Sequence, residues 1–280
     1  MAFPYIILCD SCCDLTPELK ERADIINVPL TLMVDGKSIT DDETFDQKDF
    51  LARMKASPEV PKSACPAPDE YMKHFDEGEE VYIITLSGNL SGSYGSAKVA
   101  ADIYEEDVPE KKIHIFDSCS ASAGETLLAM KIIELKEAGA GFDEVVEKAT
   151  EYRDLKQTKF ILESLESLRK NGRLTGVQAI LAGALNIKPV MGGTKDGHIE
   201  KLGQARGMNK AVAMMVNMIA KDATSPETRI LGVAHCNCPE RAVLVRNQIM
   251  AAVPFKDSFI VDTGGISTLY ANAGGLIVVY

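Results

Sequence analysis

Ile83-Ile84-Thr85-Leu86-Ser87-Gly88-Asn89-Leu90-Ser91-Gly92-Ser93-Tyr94-Gly95-Ser96-Ala97 decides the fold of this chain. The apolar run 81–85 reads as a buried strand, and the Ser, Gly and Asn residues after it read as a loop. Helical spacing resumes at Ala97, Val99, Ala100 and Ile103. Such a junction aims free backbone N–H groups and small hydroxyls at one point, where the helix N-terminus is partly positive. That geometry suits a phosphate or a carboxylate. Ser and Asn are equally ordinary helix N-caps, so the loop taken alone also reads as a capped helix start.

Two more junctions follow the same grammar. Cys9-Asp10-Ser11-Cys12-Cys13-Asp14-Leu15-Thr16-Pro17 follows the apolar run 5–8. Phe116-Asp117-Ser118-Cys119-Ser120-Ala121-Ser122 lies between the strand-like 112–116 and the helical 126–137. Together they put Asp and Ser on the C-terminal edge of a parallel sheet, the usual ligand edge of an open α/β fold. Asp10 and Asp117 read first as helix N-caps. The alternative is that they accept N–H bonds from neighbouring turns and so order the Ser-bearing loops.

The fold class is α/β: a layered N-terminal α/β domain with a parallel sheet (1–157) followed by a C-terminal α+β domain (158–280). A small insertion at about 25–66 interrupts the first domain. It is extended over 25–34, turns at Asp35-Gly36, forms a short strand at 37–40 and carries solvated Asp41-Asp42-Glu43. Asp46 caps a helix over 47–55, and a Pro-rich stretch leads to a helix from Pro68 to Phe75. In the second domain a helix holding Leu165 and Leu168 stops at Asn171-Gly172. The small apolar run 177–185 predicts a buried helix, and Asp196-Gly197 joins two strands in a hairpin. Met214, Met215 and Met218 lie on the wide apolar face of a core helix over 209–220.

A chain of 280 residues buries a substantial core, and a net charge of −11 without a basic stripe argues against nucleic acid or an anionic membrane as partner. No signal-peptide pattern and no apolar run near about 18 residues occur, so the expectation is a cytoplasmic protein without stable membrane insertion. Seven Cys argue against a disulfide framework, and Cys12-Cys13 and Cys236-x-Cys238 lack a second pair at zinc spacing, so no metal and no cofactor is expected. Cys12 and Cys119 at helix starts could be reactive thiols, but none of His74, His114, His198 and His235 is marked as a partner. His235 reads as a core histidine and Lys188 as a strand-end surface residue. Arg173 suits an anion contact or a structural ion pair equally well.

The ordered set Asp10-Ser-x-x-Asp14-Leu15, Ser63-x-x-Pro66, Leu86-Ser87-x-x-Leu90-Ser91-Gly92-Ser93-Tyr94, Asp117-Ser118, Leu165-x-x-Leu168-x-x-x-Gly172-Arg173 and Ile187-Lys188-Pro189 resembles the DegV family almost end to end. The resemblance implies a bacterial fatty-acid-binding protein that holds an acyl chain such as palmitate or stearate between two domains. It implies a carrier, not an enzyme, that presents the carboxylate to a fatty-acid kinase for phospholipid synthesis. The family's carboxylate-binding hydroxyls fall on Ser63 and Ser91, with the N–H groups of Gly92 and Ser93 close by. Arg206 matches an arginine associated with the pocket entrance and the kinase reaction. Two positions depart from the family. Ala64-Cys65 replace Ser-Gln, and Leu269 stands where many members carry His, leaving Tyr270 to supply the missing hydroxyl.

The rival reading is a hydrolase or transferase acting on an acyl or phosphate ester, with Ser91 as nucleophile. Against it, Ser91 has no evident base and its loop is not a Gly-x-Ser-x-Gly elbow. An absence of Trp and 6% aromatic residues suit an aliphatic ligand better than a stacked ring.

Overall fold

In a computed structural model that describes residues 2–174 and 186–280, the chain begins with β1 (Phe3–Asp10), α1 (Pro17–Lys20) and β2 (Ile25–Val28). The run 177–185, expected as a buried helix, lies outside the described residues. Next come β3 (Thr31–Val34), β4 (Lys37–Thr40), α2 (Gln47–Ala56), β5 (Lys62–Ala64) and α3 (Pro68–Met72). The N-terminal part continues with β6 (Gly78–Thr85), α4 (Ser93–Asp107), β7 (Lys112–Asp117), α5 (Ala123–Glu137) and α6 (Phe142–Leu155).

Strands β2-β1-β6-β7 form a parallel sheet in that order. Helices cover both faces, which is why β1 and β6 are apolar runs rather than alternating ones. Ala97 and Ala100 of α4 pack on one face with Tyr71 and Phe75. Leu128 and Ile132 of α5 and Val145 and Ala149 of α6 close the other. The strand order reverses between β1 and β6, so their following loops diverge and open a crevice there.

The C-terminal part comprises β8 (Thr158–Ile161), α7 (Glu166–Lys170), β9 (Ile187–Gly193), β10 (Ile199–Arg206) and α8 (Met208–Asp222). It ends with β11 (Ile230–His235), α9 (Pro239–Ala252), β12 (Asp257–Asp262), α10 (Gly265–Ala271) and β13 (Leu276–Val279). Its mixed sheet runs β10-β9-β8-β13-β11-β12. Met215 and Ile219 of α8 and Val245 and Ile249 of α9 bury one face. On the other, Ala123 and Leu127 of α5 pack against Ala234, Val261 and Val279, so one helix serves both sheets. No helix among the described residues is long and apolar enough to cross a membrane.

The stretch read as an insertion differs in three ways. Ile25–Val28 is not part of it but pairs in parallel with β1, because one short helix suffices for the crossover. Ser63 lies in β5, which pairs with β3 beside β4 in a small antiparallel sheet. Asp41, expected in solvent, is 4% exposed. Its Oδ2 accepts bonds from Ser11 Oγ at 2.8 Å and Ile266 N at 2.8 Å, and its Oδ1 from Gly265 N at 2.7 Å. Asp14 Oδ1 accepts from Gly264 N at 2.6 Å. Two carboxylates from the N-terminal part thus hold the first turn of α10, where a negative charge is stabilised. A Cβ on Gly265 would lie 2.5 Å from Asp41 Oδ1 and 2.6 Å from Leu32 Cδ1, so only glycine permits this approach.

Replacing Asp41 leaves three buried donors without their acceptor. Asp41→Ala should therefore lower folding stability by about 3 kcal/mol in urea unfolding. A change below about 0.5 kcal/mol would show that the mooring of α10 lies elsewhere.

Candidate functional site

The loops after β1, β6 and β7 are held in register by two carboxylates, one buried and one half-buried. Asp10, fully buried, accepts from Cys12 N at 3.0 Å and from Leu86 N at 2.9 Å, joining the β1 loop to the β6 loop. Asp117 Oδ1 accepts from Gly88 N at 3.2 Å and Cys119 N at 2.9 Å, joining the β6 and β7 loops. Neither caps a helix. Thr16 caps α1, and α5 starts from Ser122 at φ 59°. The alternative reading of these two aspartates, as braces of the Ser-bearing loops, is the one the structure bears out.

Burial pushes Asp10 up to about 6, against the pull of the Leu86 and Cys12 N–H groups. Glu125 lies fully buried nearby, and both its oxygens lack a hydrogen-bond partner among the described residues. Burial, then the charge of Asp10, holds its carboxyl well above the usual range, which favours the neutral acid.

Above this base lies the Ser91 turn. Ser91 Oγ accepts from Ser93 N at 3.2 Å and sits 3.1 Å from Ser93 Oγ. The Gly92 N–H has no partner among the described residues. The turn abuts the β5 segment closely. A Cβ on Gly92 would lie 2.9 Å from Cys65 Sγ, and Ser96 Oγ donates to Pro66 O at 2.6 Å. Ser63 Oγ in turn is 3.1 Å from Tyr270 OH. Arg173 closes the group, with Nε donating to Leu90 O at 3.1 Å and its guanidinium 5.7 Å from the Tyr270 ring centre. Arg173 has no carboxylate partner among the described residues; its other bond goes to the Asn171 carbonyl.

This polar corner borders a cavity between the loops after β1, β6 and β7 and the mixed sheet. Leu86, Leu90, Phe160, Leu162, Leu168, Ile199, Ile266 and Ile277 supply most of its wall, which is almost wholly apolar. Tyr270 and Arg173 line it directly. Leu269 is buried in the packing of Cys12, Leu32 and Leu86, while its neighbour Tyr270 faces the cavity and reaches Ser63. The helical turn of α10 separates the two side chains by about 100°. Ser63, Ser91, Gly92, Ser93 and Tyr270 are brought to one end of the fold. Arg206 is not; it is exposed at the end of β10 opposite Ile187, whereas the cavity meets β10 at its start, Ile199. Sequence reasoning missed the mooring by Asp41, whose acidic neighbours made it look solvated.

Chemically, the corner can receive an anion beside an apolar tail. It is poorly equipped for nucleophilic attack, because Ser91 Oγ is bonded to Ser93 and to no His or carboxylate among the described residues. No group of three or more His, Cys, Asp or Glu among the described residues is arranged to hold a metal ion.

The DegV family model, described as an uncharacterised protein family, matches residues 5–280. The chain belongs to the DegV family. It is 36% identical over 278 residues to a DegV domain-containing protein of Streptococcus pneumoniae, covering 98% of each chain. A DegV family protein of Ruminococcus gnavus, solved with vaccenic acid, superposes with a TM-score of 0.97 at 45% identity, covering 99% of this chain and 100% of the other. The fatty acid kinase (Fak) B3 protein of S. pneumoniae, loaded with linoleic acid, gives 0.92 at 34% identity, with 100% and 99% covered.

In this DegV chain Asp14 titrates in a sensitive range. Burial pushes it up to about 7, although the Ser122 hydroxyl and Gly264 N–H favour its ionised form. Between about pH 4 and that value the folded chain keeps a proton that the unfolded chain has lost, so stability falls as pH rises. Asp14→Asn, which preserves the acceptor for Gly264, should flatten this slope in urea unfolding series from acid to neutral pH. An unchanged slope would assign the dependence to another group.

Proposed function

We propose that the protein binds one long-chain fatty acid in this cavity and presents its carboxylate to a fatty-acid kinase, acting as a carrier and not as a catalyst. The observation that carries the reading is the pairing of an apolar cavity with a single polar corner whose cation lacks a carboxylate partner among the described residues. Both relatives of known structure described above were solved with an unsaturated fatty acid, and one is a fatty acid kinase component by name.

The two halves of such a ligand pose unequal problems. Burying about 14 methylenes yields on the order of 11 kcal/mol gross. Burying an unpaired carboxylate costs several kcal/mol. Hydroxyls, N–H groups and a guanidinium offset that cost through charge-assisted bonds of roughly 1.5–3 kcal/mol each. In this reading Ser63, Tyr270 and Ser91 supply the hydroxyls, Gly92 and Ser93 the N–H end of α4, and Arg173 the positive charge. The Ser63–Tyr270 and Ser91–Ser93 pairs keep the hydroxyls satisfied when the site is empty and reorient towards an incoming carboxylate. Arg206, outside the cavity, fits a role on the surface that meets the kinase. The cytoplasm, where that kinase would act, is the proposed location.

Protein purified from cells, extracted with organic solvent and analysed by mass spectrometry should release a long-chain acid such as palmitic, stearic or oleic acid. The stripped protein should rebind it, and Ser91→Ala should weaken binding about tenfold by removing one charge-assisted bond. Stripped protein without affinity for any of these acids would sink the proposal. Undiminished affinity in the variant would remove Ser91 from the head-group site.

A further inference from the structure

We propose that Gly193 sets how deep an acyl chain reaches into the cavity, and with it the chain length the protein prefers. The inference rests on the fatty-acid reading of the same cavity and adds a determinant at the Thr158 end, away from Leu162 and Tyr270.

The cavity has a definable axis. Thr158, Phe160 and Leu162 line it from alternate positions of β8 and the residue that follows, so they share one face and span about 13 Å. Leu162 packs with Leu168 and Tyr270, which marks the polar corner. Thr158 therefore marks the opposite end. The antiparallel register that sets Lys159 against Gly192 brings Gly193 alongside Thr158 there.

Gly193 is required neither by its backbone nor by its neighbours. It is not among the residues of positive φ. A Cβ placed on it would meet only Thr158 Cβ at 3.7 Å and Cys119 O at 4.0 Å among the described residues, both ordinary contacts. The adjacent Gly192 faces the other way, where a Cβ would run into Leu202 Cδ1 at 2.7 Å. Gly197, also at this end, has φ +80° and no room beside Ser87. Of these three glycines, only Gly193 could carry a side chain without strain, and that side chain would occupy cavity. What its hydrogen preserves is room for ligand. Each methylene denied burial there lowers affinity about fourfold, so a few carbons at this position decide between long and short chains.

The test is competition among lauric, palmitic and stearic acids for stripped wild-type protein, Gly193→Ala and Gly193→Leu, read by native mass spectrometry. The stearate-over-laurate preference should fall at least tenfold in Gly193→Leu and about threefold in Gly193→Ala, with laurate affinity within twofold of wild type. Should the leucine variant fail to fold, the alanine variant, which makes only ordinary contacts, carries the test alone. The same chain-length profile in every folded variant, or an equal loss for all three acids, would overturn the role of Gly193 and leave the fatty-acid reading standing. Wild-type protein that takes up none of the three would overturn both.

Discussion

Two carboxylates on the first turn of α10 couple the two ends of the sequence. Asp14 and Asp41 accept the N–H groups of Gly264, Gly265 and Ile266, more than two hundred residues away. Their bonds fix where α10 begins, and so where Tyr270 ends up. Two buried donors and a half-buried one would otherwise be stranded, which makes this arrangement hard to trade away piecemeal. Proximity of the two acids inside the fold has a cost, visible in Asp14, whose burial and then Asp41's charge oppose ionisation. The site therefore sits on a mooring that is itself sensitive to protonation.

The same device recurs one layer away. Asp10 and Asp117 join loops that leave adjacent parallel strands, and the loops so held carry Leu86, Leu90 and Cys119 to the cavity. Strand order creates the crevice, because the connections after β1 and β6 diverge. The mixed sheet supplies the facing wall through Thr158, Phe160 and Ile277. Braced polar loops on one side and an apolar sheet on the other produce a cavity with one hydrophilic end. A ligand with a single charge and a long hydrocarbon tail matches that asymmetry.

Much of this was legible in the residues. The strand, loop and helix around Ser91 stand as read, as does the hairpin through Asp196-Gly197, because apolar runs and turn residues are local signals. What failed was tertiary. Asp41 looks solvated beside Asp42 and Glu43, and only the distant turn of α10 explains its burial. Asp10 and Asp117 precede helical segments and so look like caps, while each also takes a partner from the β6 loop, Leu86 N and Gly88 N respectively. That Tyr270 faces the cavity while Leu269 is packed away depends on the rotation of a short helix, which no local pattern specifies. The six ordered motifs were enough for the family, and they single out Ser63 and Ser91 as the proposed head-group hydroxyls but say nothing about the far end of the cavity.

The most direct measurement is the orientation of palmitic acid in a crystal of its complex with this protein. The account predicts the carboxylate within hydrogen-bond distance of Ser91 and Ser63 or Tyr270, beside Arg173, and the methyl end running along β8 towards Thr158. A carboxylate found at the Thr158 end, or an acid bound outside the cavity, would contradict it.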